Sequence, residues 1–340
     1  MKPDRTGADP ASERTGWMGA TDSDAAATHV PVMVDRIVEL LRPALVAEPA
    51  YYVDGTLGLA GHAEAILTAC PAARLIGIDR DPEALDLARA RLAPFGDRVE
   101  LFHATYHELP EVLAEAGVRH VQAVCLDLGL SSLQIDRTER GFAYSVDAPL
   151  DMRMNPEQDL TAADIVNTWP EHDLARILRE YAEERFASRI SAAIVAARTG
   201  EPFTTSARLV EVIAAAIPMA ARNSGGHPAK RTFQALRIAV NAELASLAGV
   251  LPAALDALAP GGRLAVLAYH SGEDRLVKRA FAAATTDRVP AGVPAVPAGY
   301  AARFRLLTRG AERPDATEVA ANPRAASARL RAVERRQEAA

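Results

Sequence analysis

The chain has 340 residues, 49% of them hydrophobic and 24% charged, with a formal net charge of −6. That suits a globular protein with an ample core, built as one large domain or two modest ones. It excludes a membrane-spanning helix, since no run of about 18 apolar residues occurs. The N-terminus lacks a basic-then-apolar signal pattern, so a cytoplasmic protein is expected.

The overall acidity does not mark a polyanion partner, but two tracts run the other way. Between Arg222 and Arg237 stand Arg222, Lys230, Arg231 and Arg237 with His227 and no acid, and from Arg303 onward nine arginines face five acids. Either tract could meet phosphates or be plain solvated charge. Cys70 and Cys125 lie inside apolar elements and read as buried reduced thiols, not a disulfide or a metal site. No metal is expected.

In chain order, residues 1–28 show no apolar period and read as a disordered N-terminal extension. A helix is expected over 33–42 and a strand over 51–54, then a helix over 63–69 and a strand over 75–78. A helix with Pro82 in its first turn carries Leu85, Ala88 and Leu92 on one face. A strand at 99–102, a helix near 109–116 and the buried strand Val121–Leu126, ending at Asp127, complete the series. Strands alternating with helices predict an α/β fold with a parallel, doubly wound sheet.

From about 138 to 235 the strands stop. Thr161 with Asp164 reads as a helix start. Phe186, Ile190 and Ile194 share a helix face that ends at Gly200, and another helix runs from Ser206 to Ile217 before Pro218. One long helix is expected from Pro228 to Leu247. This is an all-helical block inserted into the α/β domain. The sheet resumes at Leu264–Leu267 after a Pro260–Arg263 turn. A helix from about Gly272 to Ala283, a Pro/Gly-rich loop at 290–299, a last strand at 303–307 and a basic tail follow.

The chemistry concentrates at strand ends. Asp54, Gly55, Gly58 and Gly61 form a loop in which glycine recurs every third residue, and the next strand ends in Asp79. A tight glycine turn lets the backbone approach a ligand, and an acid ending the second strand can hold both ribose hydroxyls. The dinucleotide fingerprint needs G-x-G-x-x-G, whereas these glycines fall as G-x-x-G-x-x-G after an acid. The spacing reads better as the cofactor motif of an S-adenosylmethionine-dependent methyltransferase. Asp127, closing the fourth strand, is the candidate catalytic acceptor for the hydrogens of an exocyclic amine, or else a cofactor ligand. An Asp/Asn-Pro-Pro-aromatic motif of the DNA amine methyltransferases is missing. Cys125 reads as a packed thiol, not a nucleophile. His270 could orient substrate or satisfy buried polar groups. Asp151 with Arg153 reads as a local ion pair.

The motifs also resemble a known family. In order they are His29-x-Pro-Val, Asp54 to His62, Ile78 to Asp81, Leu126 to Ser132, Glu139 to Phe142, Pro149 to Met154, Glu184 to Phe186, Arg231 to Ile238 with Asn241, His270 to Arg275, and Asn322 to Ala325. Over about 29–335 the chain resembles the RsmH (MraW) family of ribosomal RNA small-subunit cytosine-N4 methyltransferases. The resemblance implies a class I (Rossmann-like) S-adenosylmethionine-dependent methyltransferase sheet with an inserted all-helical domain. The methyltransferase domain would span 29–137 and 236–310, the helical substrate-recognition insertion 138–235 and the basic C-terminal tail 311–340.

The resemblance further implies S-adenosylmethionine as methyl donor and, as acceptor, a cytidine in the decoding region of 16S ribosomal RNA, free or in the small ribosomal subunit. Carried over by motif, Ala60, Gly61, His62, Asp79, Tyr106, Asp127 and Gln134 would bind the cofactor. Three positions depart from the family pattern: Ala60 stands for a usual glycine, Tyr106 for phenylalanine and Gly272 for leucine. Arg231 and Arg237 would face the RNA. Oligomeric state stays open, a homodimer included. Two other readings stay in view: a methyltransferase on another amine acceptor, and a non-catalytic S-adenosylmethionine-binding ribosome-assembly factor.

Overall fold

The computed structural model describes residues 30–222, 227–287 and 300–337. The extension expected at 1–28, His29 and the loop expected at 290–299 lie outside them.

The first half alternates as its periodicity requires: α1 (Val34–Leu41), β1 (Ala50–Asp54), α2 (Gly61–Ala69), β2 (Ala73–Asp79), α3 (Pro82–Leu92), β3 (Val99–His103), α4 (Leu109–Glu115) and β4 (Val121–Asp127). Asp81 caps α3 by accepting from the Glu83 N–H, with Pro82 at the first helical position. The helical stretch follows: α5 (Ser132–Asp136), α6 (Ala162–Thr168), α7 (Glu171–Ala182), α8 (Ala187–Gly200), α9 (Ser206–Ala216), α10 (Met219–Arg222) and α11 (Lys230–Val240). Thr161 and Asp164 form both bonds of the expected capping box. Then come α12 (Glu243–Ala257), β5 (Leu258–Ala268), α13 (Ser271–Thr285), β6 (Phe304–Leu306), α14 (Ala316–Ala321) and β7 (Arg329–Arg335).

The seven strands form one sheet in the order β3-β2-β1-β4-β5-β7-β6. The pairs among β1 to β5 are parallel, as expected. Strand β7 runs antiparallel to both β5 and β6, so the sheet is mixed. Successive residues of each inner strand feed opposite faces. Tyr52, Ala123 and Cys125 join α1, α2 and α3 in one core, while Val53, Val124 and Leu126 join α4, α12 and α13 in the other. A third core, with Leu150, Ile165, Leu174, Ile190, Leu209 and Phe233, belongs to the insertion.

Two expectations are corrected. The basic tail expected at 311–340 instead contributes an inner strand: Arg329–Arg335 is β7. Its charges are matched by distant acids, which is why an arginine-rich segment can lie inside a sheet. Arg331 pairs with Asp274 at 2.7 Å, and Glu334 takes Arg263 at 2.8 Å and Arg305 at 2.7 Å. The single helix expected at 228–247 is two helices bent by 56°. Phe233, Leu236 and Val240 pack in the insertion core while Leu247 and Leu251 pack beneath the sheet. One straight helix cannot serve both, and the chain turns at Ala242, whose φ is 50°. The boundary expected at 235/236 thus falls inside α11.

Candidate active site

The strand order reverses between β1 and β4, the place where α/β sheets open a crevice at their carboxyl ends. A cleft of about 570 Å³ lies there. Its wall takes residues at or after the ends of β1 (Thr56 to Leu59, Gly61 and His62), β2 (Asp79, Arg80), β3 (Tyr106), β4 (Asp127 to Ser131 and Gln134) and β5 (Tyr269). Of the expected cofactor residues, Gly61, His62, Asp79, Tyr106, Asp127 and Gln134 line it.

Ala60 does not line the cleft. It is fully buried and its methyl group belongs to a sheet core. Its backbone is left-handed, with φ of 61°, a conformation glycine adopts without strain. Its N–H donates to the Leu57 carbonyl at 2.8 Å and its own carbonyl accepts from Glu64 at 2.9 Å. Gly61 opens α2, where a Cβ would fall 2.3 Å from Pro31 Cγ. Ala60 supplies no capping side chain to α2, and the first residues of that helix, Gly61 and His62, line the cleft, which puts its positive end there.

Asp79 is held by one backbone amide on each oxygen: Gly58 N–H donates to Oδ2 at 2.7 Å and Asp81 N–H to Oδ1 at 2.9 Å. Burial raises its carboxyl above the ordinary range despite those donors. Each oxygen keeps a further lone pair for a hydroxyl. On another wall the Tyr106 hydroxyl donates to the Glu243 carbonyl at 3.1 Å, and the Arg80 guanidinium stands 5.7 Å from the Tyr106 ring centre. Arg80 also donates to the Asn241 carbonyl at 2.8 Å, joining the β2 end to the bend that leaves the insertion. Gln134 completes a capping box with Ser131 at the start of α5, its Oε1 accepting from Ser131 N–H at 3.1 Å.

Asp127 sits among hydrogen-bonding groups. Its N–H donates to Thr56 Oγ1 at 2.6 Å, and its Oδ2 is 3.8 Å from His62 Nδ1. His62 Nε2 is 2.9 Å from the Val32 carbonyl, which can only accept, so Nε2 carries the hydrogen. Asp54, 2% exposed, accepts from the Tyr52 hydroxyl at 3.1 Å and from Thr56 N–H at 3.3 Å. Burial pushes its carboxyl up to about 6, opposed by nearby His62. Burial, with Asp127 alongside, also pushes the Tyr269 phenol well up.

Cys125 is the packed thiol expected: it is buried and free, and burial raises it far from thiolate character. His270 caps α13, its Nδ1 accepting from Gly272 N–H at 3.2 Å while Nε2 stands 3.1 Å from Glu273. It is not among the residues that line the cleft. Asp151 and Arg153 form the expected local pair, at 2.7 Å. Arg231 is exposed and donates to the Glu183 carbonyl at 3.1 Å. Arg237 is a correction: it lines the cleft but is bound to Glu243, not open to a phosphate. Sequence reasoning missed Tyr144 and named Lys230 only as part of a basic tract; both line the cleft. The only signal for Tyr144 was proximity to the Glu139–Phe142 motif. Among the described residues no group of three or more His, Cys, Asp or Glu could hold a metal ion. Nor is any single described helix long and apolar enough to cross a membrane.

A mixed seven-stranded sheet of this order, with a glycine loop after its first strand and an acid ending its second, defines a class I methyltransferase. Within that class the model of the MraW methylase family matches residues 26–336, and the chain belongs to that family. Proteins named ribosomal RNA small subunit methyltransferase H are similar along nearly their whole length. The one from Nocardioides sp. is 61% identical over 308 residues, 91% of this chain and 97% of that protein. The one from Thermobifida fusca is 58% identical over 313 residues, 92% of this chain and 95% of that protein. The one from Mycolicibacterium gilvum is 59% identical over 307 residues, 90% of this chain and 83% of that protein.

Proposed function

We propose that the chain transfers a methyl group from S-adenosylmethionine to the exocyclic N4 amine of a cytidine in the decoding region of 16S ribosomal RNA. The observation that carries this is the meeting of Asp79 and Asp127 on one cleft, at the ends of β2 and β4, the two strands that flank β1. The names of the relatives supply the ribosomal RNA; the N4 atom and the decoding region rest on the motif resemblance. Such a substrate puts the enzyme's work in the cytoplasm.

The residues fit the cofactor. Asp79 offers free lone pairs to two ribose hydroxyls, and Tyr106 offers a ring face for adenine. The open end of α2, at Gly61 and His62, suits a carboxylate. The Gln134 amide keeps both its N–H donors. Ala60 acts by shaping the turn from within the core. When bound, the cofactor supplies a methyl group on a sulfonium, already electrophilic.

What remains for the protein is the amine. Its lone pair is delocalised into the pyrimidine ring, so it needs a hydrogen-bond acceptor and a fixed approach. Asp127 accepts an amine hydrogen, turns the nitrogen lone pair toward the methyl group and takes the released proton. Thr56, through the Asp127 N–H, holds that carboxylate's backbone in register. The helical insertion, packed against the cleft mouth, recognises the RNA.

The test is a methyl-transfer assay with labelled S-adenosylmethionine and small subunits lacking the modification, followed by nucleoside mass spectrometry. N4-methylcytidine is expected. Tight cofactor binding with no transfer to subunits or free RNA would favour a non-catalytic assembly factor, and transfer to another amine would move the acceptor.

A further inference from the structure

Three insertion residues line the same cleft as Asp127, namely Tyr144, Met154 and Lys230, and two of them, Tyr144 and Lys230, carry groups suited to a nucleotide. Tyr144 is held as a platform. Its ring stacks on His227 with centroids 4.7 Å apart and planes at 24°, and it meets Phe233 edge-on at 5.9 Å. Phe233 is 3% exposed within the insertion core, so it anchors the pair, while the His227 end is exposed.

Lys230 differs from every other cation on that wall. Arg80 is bound to the Asn241 carbonyl, Arg91 to Glu64, Arg237 to Glu243 and Arg324 to Asp136. Lys230 is exposed and, among the described residues, has no side-chain partner. An aromatic pair and one uncommitted ammonium, beside the amine-facing carboxylate, match the two parts of a nucleotide. A pyrimidine has a π-face for stacking, and the strand carries a phosphate for the cation.

We propose that Tyr144 and Lys230 form the acceptor-nucleotide subsite. The target base leaves its stack and lies against the Tyr144–His227 pair, which presents its amine to Asp127, while Lys230 meets a backbone phosphate of the same strand. This rests on the RNA reading above and adds which residues of the insertion hold the reacting nucleotide. A base stacked in a helix cannot bring its amine to a carboxylate inside a cleft, so unstacking must be offset by a surface of this kind.

The experiment measures binding of the full chain to a 16S ribosomal RNA fragment spanning the decoding region, by fluorescence anisotropy over a salt series. Cofactor affinity by calorimetry runs in parallel as a check on the folded cleft. Tyr144→Ala is expected to weaken RNA binding about tenfold to a hundredfold with cofactor affinity unchanged. Tyr144→Phe, which keeps the ring, is expected to stay within about twofold of the parent. Lys230→Ala is expected to lower the slope of log affinity against log salt by about one. Unchanged RNA binding in Tyr144→Ala, or a loss in Tyr144→Phe equal to that in Tyr144→Ala, overturns the platform. An unaltered salt slope in Lys230→Ala overturns the phosphate contact. A parent chain that binds and methylates RNA while these variants match it defeats the subsite alone. A parent chain that does neither defeats the RNA reading and the subsite with it.

Discussion

Arg237 and Glu243 close a buried ion pair across the bend between α11 and α12, with N–O distances of 2.8 and 2.9 Å. Their side chains are 17% and 7% exposed. The Glu243 carbonyl also receives the Tyr106 hydroxyl, so the pair ties the insertion to the aromatic wall of the cleft. Removing one partner strands a buried charge, and such losses run to about 3–5 kcal/mol. Arg237→Ala should therefore lower the melting temperature and cofactor affinity together. The double variant with Glu243→Ala should recover part of the stability. The salt slope of RNA binding should not move, since this guanidinium is already neutralised. A changed slope would return Arg237 to the RNA face.

Asp79 should dominate cofactor affinity. Charge-assisted bonds to ribose hydroxyls are worth about 1.5–3 kcal/mol, so Asp79→Ala should weaken S-adenosylmethionine binding about tenfold to a hundredfold. Isothermal calorimetry measures this directly. Asp79→Asn should fall between, since the amide keeps one acceptor for the Gly58 N–H.

Asp127 should separate from Asp79 in kinetics. Asp127→Asn keeps the shape and removes the charged acceptor, so kcat should fall by about 10²–10⁴-fold. Cofactor affinity should change only a few-fold. An equal loss in both would make Asp127 a cofactor ligand first and a catalytic residue second.

Asp54 should make stability fall as pH rises. Its folded value of about 6 lies above the ordinary 3.8. Between those values the folded state holds a proton the unfolded chain has lost, so stability drops through that window and stays lower above it. Two units correspond to about 3 kcal/mol. Asp54→Asn should flatten the urea-unfolding stability between pH 4 and 7; a parent chain already flat there would contradict the argument. The titratable groups facing this carboxyl are Tyr52, His62 and Asp127.

Six of the seven residues expected at the cofactor, all but Ala60, were legible as cleft residues. A glycine loop after an apolar run, and a carboxylate ending each of two others, are local signals that mark strand ends, and strand ends are where such sheets bind ligands. Ala60 was legible as part of the turn but not as a core residue, because only the left-handed backbone turns its methyl group inward. Tyr144 carried no signal of its own, and Lys230 only that of a basic tract. An aromatic in a loop and a lysine opening a helix look the same whether they face solvent or a cleft.

Strand and helix alternation, caps and the glycine loop could be read from the chain because they depend on neighbours within a few positions, where period and backbone preference act. The order of the strands, the place of β7 and the state of the arginines depended on partners far along the chain. Arg331 meets Asp274 and Arg263 meets Glu334 only once the sheet has formed. A charge without its partner reads as surface; with its partner it reads as interior. The bend at Ala242 has the same origin: one continuous apolar stripe was claimed by two cores, and packing broke the helix between them.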